Sequence, residues 1–195
     1  MSLEHPQTPP QPRSTASSFF IDVIRFAFIA LIIVVPFRIF IAQPFIVNGQ
    51  SMAPTFDTGE YLIVDQLSYQ LNNPHRGDVI VFRSPEDTST FFIKRIVGLP
   101  GETVEINRGD VIIHNAEHPN GILLDEPYVK HTKIDSLRTS LKNDEYFVLG
   151  DNRQASSDSR SWGPLERELI QGRPLIRLFP LQELNLLPGS YKQDQ

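Results

Sequence analysis

Phe91-Phe92-Ile93-Lys94-Arg95-Ile96-Val97-Gly98-Leu99-Pro100-Gly101 is an apolar run broken only by one lysine and one arginine, and closed by glycine and proline. Aromatic and β-branched residues bounded by turn formers read as a strand. Successive side chains of a strand alternate between faces, so Phe92, Lys94 and Ile96 share one face and Arg95 takes the other. The face that carries Lys94 is apolar apart from its amine.

Runs of the same kind lie on both sides. Phe45-Ile46-Val47 precedes Asn48-Gly49, and Tyr61-Leu62-Ile63-Val64 follows Thr58-Gly59. Val79-Ile80-Val81-Phe82 follows Arg76-Gly77-Asp78, Val104-Glu105-Ile106 alternates, and Val111-Ile112-Ile113 follows Arg108-Gly109-Asp110. Tyr146-Phe147-Val148-Leu149 ends at Gly150-Asp151, and Leu175-Ile176-Arg177-Leu178-Phe179 ends at Pro180. Short strands between turn signals predict a mainly β domain, an antiparallel sheet or barrel-like catalytic domain over residues 43–187. The polar, turn-rich stretch 115–143 reads as an extension attached to that sheet. Short helical turns are expected within Leu62–Tyr69 and Leu165–Leu169.

The N-terminus has a different character. Residues 1–18 are rich in Pro, Ser, Thr and Gln and read as a disordered tail. Residues 19–42 are dominated by Phe, Ile, Val, Leu and Ala, interrupted by Asp22, Arg25 and Arg38. Phe26–Phe37 is too short to cross a hydrocarbon core of ~30 Å. With Arg25 and Arg38 snorkelling to the two interfaces, the whole segment reaches a spanning length. A buried core helix and a cleavable signal peptide compete with a single transmembrane helix. A cleavage site needs small residues before the cut, and Phe40-Ile41-Ala42 does not supply them. The membrane anchor is the better reading. Residues 188–195 are expected to form a flexible end.

Composition excludes several functions. The 195 residues carry a net charge of -5, which argues against nucleic-acid binding through phosphate neutralisation. There is no cysteine, hence no disulfide, thiolate catalysis or cysteine-ligated metal. The five histidines are scattered among polar or turn residues, with neither metal-ligand spacing nor a triad setting. No cofactor or metal is implied.

A serine hydroxyl needs a base to become a nucleophile. A lysine serves only when neutral, and lowering its pKa from ~10.4 to a useful 7–8 takes roughly 3 units, or ~4 kcal/mol of disfavoured charge. The apolar face around Lys94 suits that purpose. Ser51, in Gly49-Gln50-Ser51-Met52-Ala53-Pro54-Thr55, is the candidate nucleophile. Ser156 is either an orienting hydroxyl or a turn residue. Asp151 with Arg95, and Asp158 with Arg160, are either braces or solvated loop charges.

In this order the runs resemble the type I signal peptidases, membrane-bound enzymes that cut signal peptides from exported proteins. The resemblance is carried by the Ser51 run, by Arg76–Phe82, by Lys94–Glu102, and by Gly150-Asp151-Asn152-Arg153 through Ser156, Asp158 and Arg160, followed by Trp162-Gly163-Pro164. Asn120-Gly121 and Asp125-Glu126-Pro127-Tyr128 belong to it too. It implies that Ser51 is the nucleophile and Lys94 the general base, with Ser156 hydrogen-bonded to the lysine amine. The Ser51 backbone N–H would serve the oxyanion, and Met52 would line the substrate pocket. Arg95, Asp151, Asp158 and Arg160 would be structural braces. The implied partners are signal-peptide-bearing preproteins and a lipid bilayer. The implied location is a plasma membrane or thylakoid-type membrane, single-pass, with the catalytic domain on the exported side. Substrate would bind as an extended strand against a sheet edge near Phe45–Ser51, with small pockets for Ala-like residues. One departure stands out: where some members carry a second oxyanion-donating serine, this chain has Gly49. The family also often has two anchors, and only one is visible.

Two other readings remain. A repressor-type Ser-Lys autoprotease would need a DNA-binding module, and the first 42 residues do not resemble a helix-turn-helix. A non-catalytic, membrane-anchored β module binding export components is the alternative outside enzymology.

Overall fold

The strand centred on Lys94 is β4 (Phe91–Gly98), and it pairs antiparallel with β3 (Val79–Arg83), setting Ile80 opposite Lys94 and Val79 opposite Arg95. These positions come from a computed structural model, which describes residues 15–36 and 42–191. Chain contacts divide it into two units, Met1–Ile39 and Phe40–Gln195.

The larger unit is mainly β and antiparallel. β1 (Ala42–Ile46), β2 (Tyr61–Asp65), β9 (Glu145–Leu149), β10 (Leu165–Glu166) and β11 (Ile170–Phe179) join β3 and β4 in the order β1-β2-β11-β3-β4-β9-β10. β12 (Asn185–Leu186) adds to β11. The ten-residue β11 decides the shape. Its first residues pair with β3 and its later ones with β2, with irregular register at several points. Such bulges bend a strand and increase its twist, and the sheet curls into a barrel-like half-turn. Curling brings Phe45 of β1 edge-on to Phe91 of β4, rings 5.2 Å apart.

A second, four-stranded sheet has the order β7-β6-β5-β8, from β5 (Thr103–Asn107), β6 (Asp110–His114), β7 (Ile122–Leu123) and β8 (Ser136–Ser140). It therefore takes in two strands N-terminal to 115, where the sequence reading began the extension. β8 was not expected as a strand, because of its five residues only Leu137 is apolar.

Alternation along β4 builds three cores at once. Phe92 and Ile96 join Tyr69, Ile80, Phe82, Val148 and Leu165 on one face. Ile93 packs against Val47, Met52, Phe56, Leu62 and Val79, and Val97 reaches the apolar interior of the second sheet. Among the described residues helix is sparse in this unit: α2 (Ser68–Leu71), α3 (Ser159–Trp162) and two 3₁₀ turns, Arg167–Leu169 and Leu181–Glu183.

The described residues of the smaller unit form the helix α1 (Thr15–Pro36). It begins within the stretch read as a tail, and residues 37–41, the far end of the expected anchor, lie outside the described residues, as do 1–14 of the tail. Among the described residues, no helix is long and apolar enough to cross a membrane.

Candidate active site

Ser51 opens a tight turn after β1, and Phe56 N–H donating to Met52 O closes it. Lys94 reaches this turn from the middle of β4, with its Nζ 2.8 Å from Ser51 Oγ. Residues 43 apart in sequence thus meet as nucleophile and base would. The amine also donates to Ile93 O at 2.9 Å and lies 5.2 Å from the centre of the Phe92 ring.

Lys94 is only 3% exposed. Burial pulls its pKa down to about 8, against the opposing pull of Asp158 and Asp151. Desolvation disfavours the ammonium, and the two carboxylates favour it. Each carboxylate is largely committed elsewhere. Asp151 accepts from Arg95 Nε at 2.9 Å and Nη2 at 2.7 Å, and both side chains are 1% exposed. Asp158 accepts from Arg160 Nε at 2.8 Å and Nη2 at 2.8 Å, and from Gly150 N–H at 3.1 Å. Burial alone would raise the Asp158 carboxyl, but Arg160 and these hydrogen bonds hold it below the ordinary range. Both pairs are buried and bidentate, unlike the exposed ion pairs that contribute little.

Asp151 has a further partner. Thr55 Oγ1 donates to its Oδ2 at 2.6 Å. One carboxylate thereby ties the strand that carries Lys94 to the turn that carries Ser51. Asn152 N–H donates to Ser51 O at 3.0 Å, fixing the same turn from its carbonyl side. Thr55 and Asn152 were not singled out from sequence, although both stand inside the runs quoted for the resemblance. Gly150 is needed because a Cβ there would meet Ser156 Oγ at 2.3 Å and Ser51 O at 2.4 Å.

Two expected placements differ. Met52 is buried in the core with Phe56, Leu62 and Val79 and does not line the groove beside Ser51. Adjacent residues in the turn point to opposite sides, so exposing Ser51 buries its apolar neighbour. Ser156 is not among the partners of the amine, which are Ser51 and Ile93.

Gly49 has a φ of 99°, a left-handed conformation that would strain a serine. Its N–H donates to Thr58 Oγ1 at 3.1 Å, and that hydroxyl donates back to Gly49 O at 2.9 Å. These two bonds clamp the backbone at Gly49. Among the described residues no acceptor takes the Ser51 backbone N–H, which leaves it available to an oxyanion.

The groove over the pair has a volume of about 240 Å³ and is lined by Phe45–Ser51, Leu62, Val81, Phe91–Lys94, Ala155 and Ser157. That is below the roughly 300–1,000 Å³ usual for small-molecule sites. Among the described residues β1 pairs only with β2, and Phe91–Lys94 pair only with β3, so both walls offer free backbone groups. Among the described residues no three acidic or histidine side chains are grouped to hold a metal.

Residues 20–179 match the family described as signal peptidase, peptidase S26. The chain belongs to the signal peptidase family. Signal peptidase I of Leptolyngbya laminosa is 36% identical over 95% of this chain and 96% of its own length. Signal peptidase I P of Bacillus subtilis subsp. natto is 35% identical over 84% and 91%, respectively. Thylakoidal processing peptidase 1, chloroplastic, of Arabidopsis thaliana is 33% identical over 79% of this chain and 47% of its own. A signal peptidase is a serine endopeptidase, and the Ser51–Lys94 contact lies within the region that matches the family.

Proposed function

We propose that this chain removes N-terminal signal peptides from exported preproteins, with Ser51 as nucleophile and neutral Lys94 as general base. The observation that carries the reading is the 2.8 Å contact between Nζ and Oγ, with the amine buried and its pKa near 8. When the amine is neutral, the Ser51 hydroxyl donates to its lone pair. Ser51 then attacks the carbonyl at the cleavage junction and Lys94 takes the hydroxyl proton. The ammonium returns that proton to the leaving amine, and a water releases the acyl group by the reverse use of the same base. The Ser51 N–H supports the oxyanion. One N–H of the neutral amine is taken by Ile93 O, and Ser156 is proposed to receive the other after its hydroxyl rotates. Arg95 with Asp151, and Asp158 with Arg160, act as braces.

The substrate is proposed to enter the groove as an extended strand, hydrogen-bonded to the open edges of β1 and β4. The small apolar groove would then favour Ala-like side chains near the cut. Relatives from cyanobacteria and a thylakoidal enzyme support a membrane-associated location. α1, with exposed apolar side chains from Phe19 to Val35, is proposed to belong to a single-pass anchor. The catalytic unit would lie on the exported side.

Ile46, Tyr61 and Phe179 stand in one exposed row across β1, β2 and β11, and Leu181, Leu184 and Leu186 beyond them are exposed too. This apolar edge suits contact with a bilayer surface. Leu181→Asp combined with Leu184→Asp is expected to slow cleavage of a bilayer-embedded preprotein about tenfold, on the order of 1.4 kcal/mol. Hydrolysis of a short soluble peptide should be unchanged. Equal rates on both substrates would refute the membrane role of this edge.

The function itself is tested with the full-length protein in lipid vesicles and a labelled preprotein. A single cut after the signal peptide, absent in Ser51→Ala, is expected. Cutting by Ser51→Ala, or no cutting by the parent protein, would contradict the proposal.

A further inference from the structure

We propose that the C-terminal segment Gly189–Tyr191 is a positioning strap for the active site, holding Arg95 against Asp151 and thereby the Ser51 turn against the Lys94 strand. The proposal rests on the Ser51–Lys94 reading above and goes beyond it, because the match to the family ends at residue 179. Residues 188–191 were also expected from sequence to belong to a flexible end.

The contacts begin at Arg95. Its Nε and Nη2 are spent on Asp151, and its Nη1 donates to two carbonyls, Gly77 O at 2.8 Å and Gly189 O at 2.7 Å. The ring of Tyr128 covers the guanidinium at 4.0 Å, and the Tyr191 ring packs edge-on to Tyr128 at 5.5 Å. Tyr191 also donates its hydroxyl to Asp125 at 2.8 Å. The fit is close on both sides. At Gly77 a Cβ would meet Tyr191 O at 2.6 Å. Gly189 has a φ of 75°, and a Cβ there would meet the Phe56 ring at 2.8 Å and Thr55 at 3.0 Å. The strap is thus wedged between the guanidinium and the turn that follows Ser51.

Position matters here because Asp151 serves three groups. It binds Arg95, it receives Thr55 from the Ser51 turn, and its charge acts on Lys94. The charges that face Lys94 are Asp151, neutralised by Arg95, and Asp158, neutralised by Arg160. A guanidinium that loses Gly189 O and its aromatic cover leaves Asp151 less compensated. The Lys94 ammonium then gains stability, and the amine is harder to deprotonate. The same slack lets Thr55, and with it Ser51, drift from the amine.

The experiment uses full-length protein in vesicles, with kcat and KM measured against pH for the parent, Gly189→Ala, Tyr191→Ala and Tyr191→Phe. Thermal unfolding is followed in parallel. Gly189→Ala and Tyr191→Ala are expected to lower kcat at neutral pH about tenfold with KM within about twofold, as a small misplacement of reacting groups does. The rise of the rate with pH, which tracks deprotonation of Lys94, should move up by about half a pH unit, as expected for a less neutralised carboxylate nearby. Tyr191→Phe keeps the ring on Tyr128 and should retain most of the rate. Folded variants with the parent's kcat and pH limb would overturn the proposal. So would losses that only track the unfolded fraction, with the limb unmoved. Ser51→Ala in the same assay separates the two readings. If it is inactive while the strap variants match the parent, only the strap fails. If it is active, the Ser51–Lys94 reading falls and the strap with it.

Discussion

Lys94→Met is expected to lower kcat for preprotein cleavage about 10⁴-fold or more, because it removes the base in contact with Ser51. The same substitution should make the protein more stable at neutral pH. Lys94 is buried, and its folded pKa of about 8 lies below its ordinary 10.5. Between those values the unfolded chain holds a proton that the folded chain has released, so stability rises with pH through that window. Below about 8 both states carry the proton, and the full cost of a buried ammonium is present, on the order of 3 kcal/mol. Methionine has a similar shape and no charge. Its gain should be largest below pH 8 and should fade as the pH approaches 10.5. Chemical denaturation of the two proteins across pH 6–10, beside cleavage rates, checks both halves. A variant that is less stable at pH 7, or one that still cleaves, would show that the amine is neither strained nor catalytic.

Asp151→Ala carries the second large effect. It leaves the guanidinium of Arg95 buried, at 1% exposure, with its carboxylate partner gone. Removing one partner of a buried pair costs about 3–5 kcal/mol, since the remaining charge has no water to return to. In a unit of this size each kcal/mol lowers the melting temperature by about 2–4 °C, so a fall of roughly 10 °C is expected. Activity should fall further than stability alone explains, because Thr55 loses its acceptor and the Ser51 turn its tether. Asp151→Asn keeps the shape and one acceptor and should be milder in both respects. A melting temperature within about 2 °C of the parent for Asp151→Ala would mean that the pair contributes little to stability.

Much of this was legible before any coordinates. The alternation of Phe92, Lys94 and Ile96 gave the strand, its apolar face and the direction of the amine, because a strand's period of two leaves little freedom. Phe91 to Val97 and Val79 to Phe82 were bounded by turn residues, and their pairing as neighbours follows from their nearness in sequence. Long-range contacts were harder to read. Nothing local to Asp151 says that its carboxylate, already paired with Arg95 in the sequence reading, will also hold Thr55, 96 residues away. The burial of Met52 was hard to read for the same reason: the side on which a turn residue points depends on what packs beneath it, here Phe56 and Leu62. β8, with Ser136, Arg138 and Ser140 facing outward, has too few apolar residues to announce itself. Gly189 and Tyr191 sit in a polar end whose composition signals disorder, yet a buried guanidinium needs the carbonyl that Gly189 supplies.

The most direct test is a pH titration of the Lys94 amine, read by NMR from ¹³Cε-labelled lysine and assigned by its loss in Lys94→Met. A titration midpoint near 8, matched by the rise of the cleavage rate with pH, is the predicted result. A midpoint close to that of an ordinary exposed lysine, about 10.4, would contradict it.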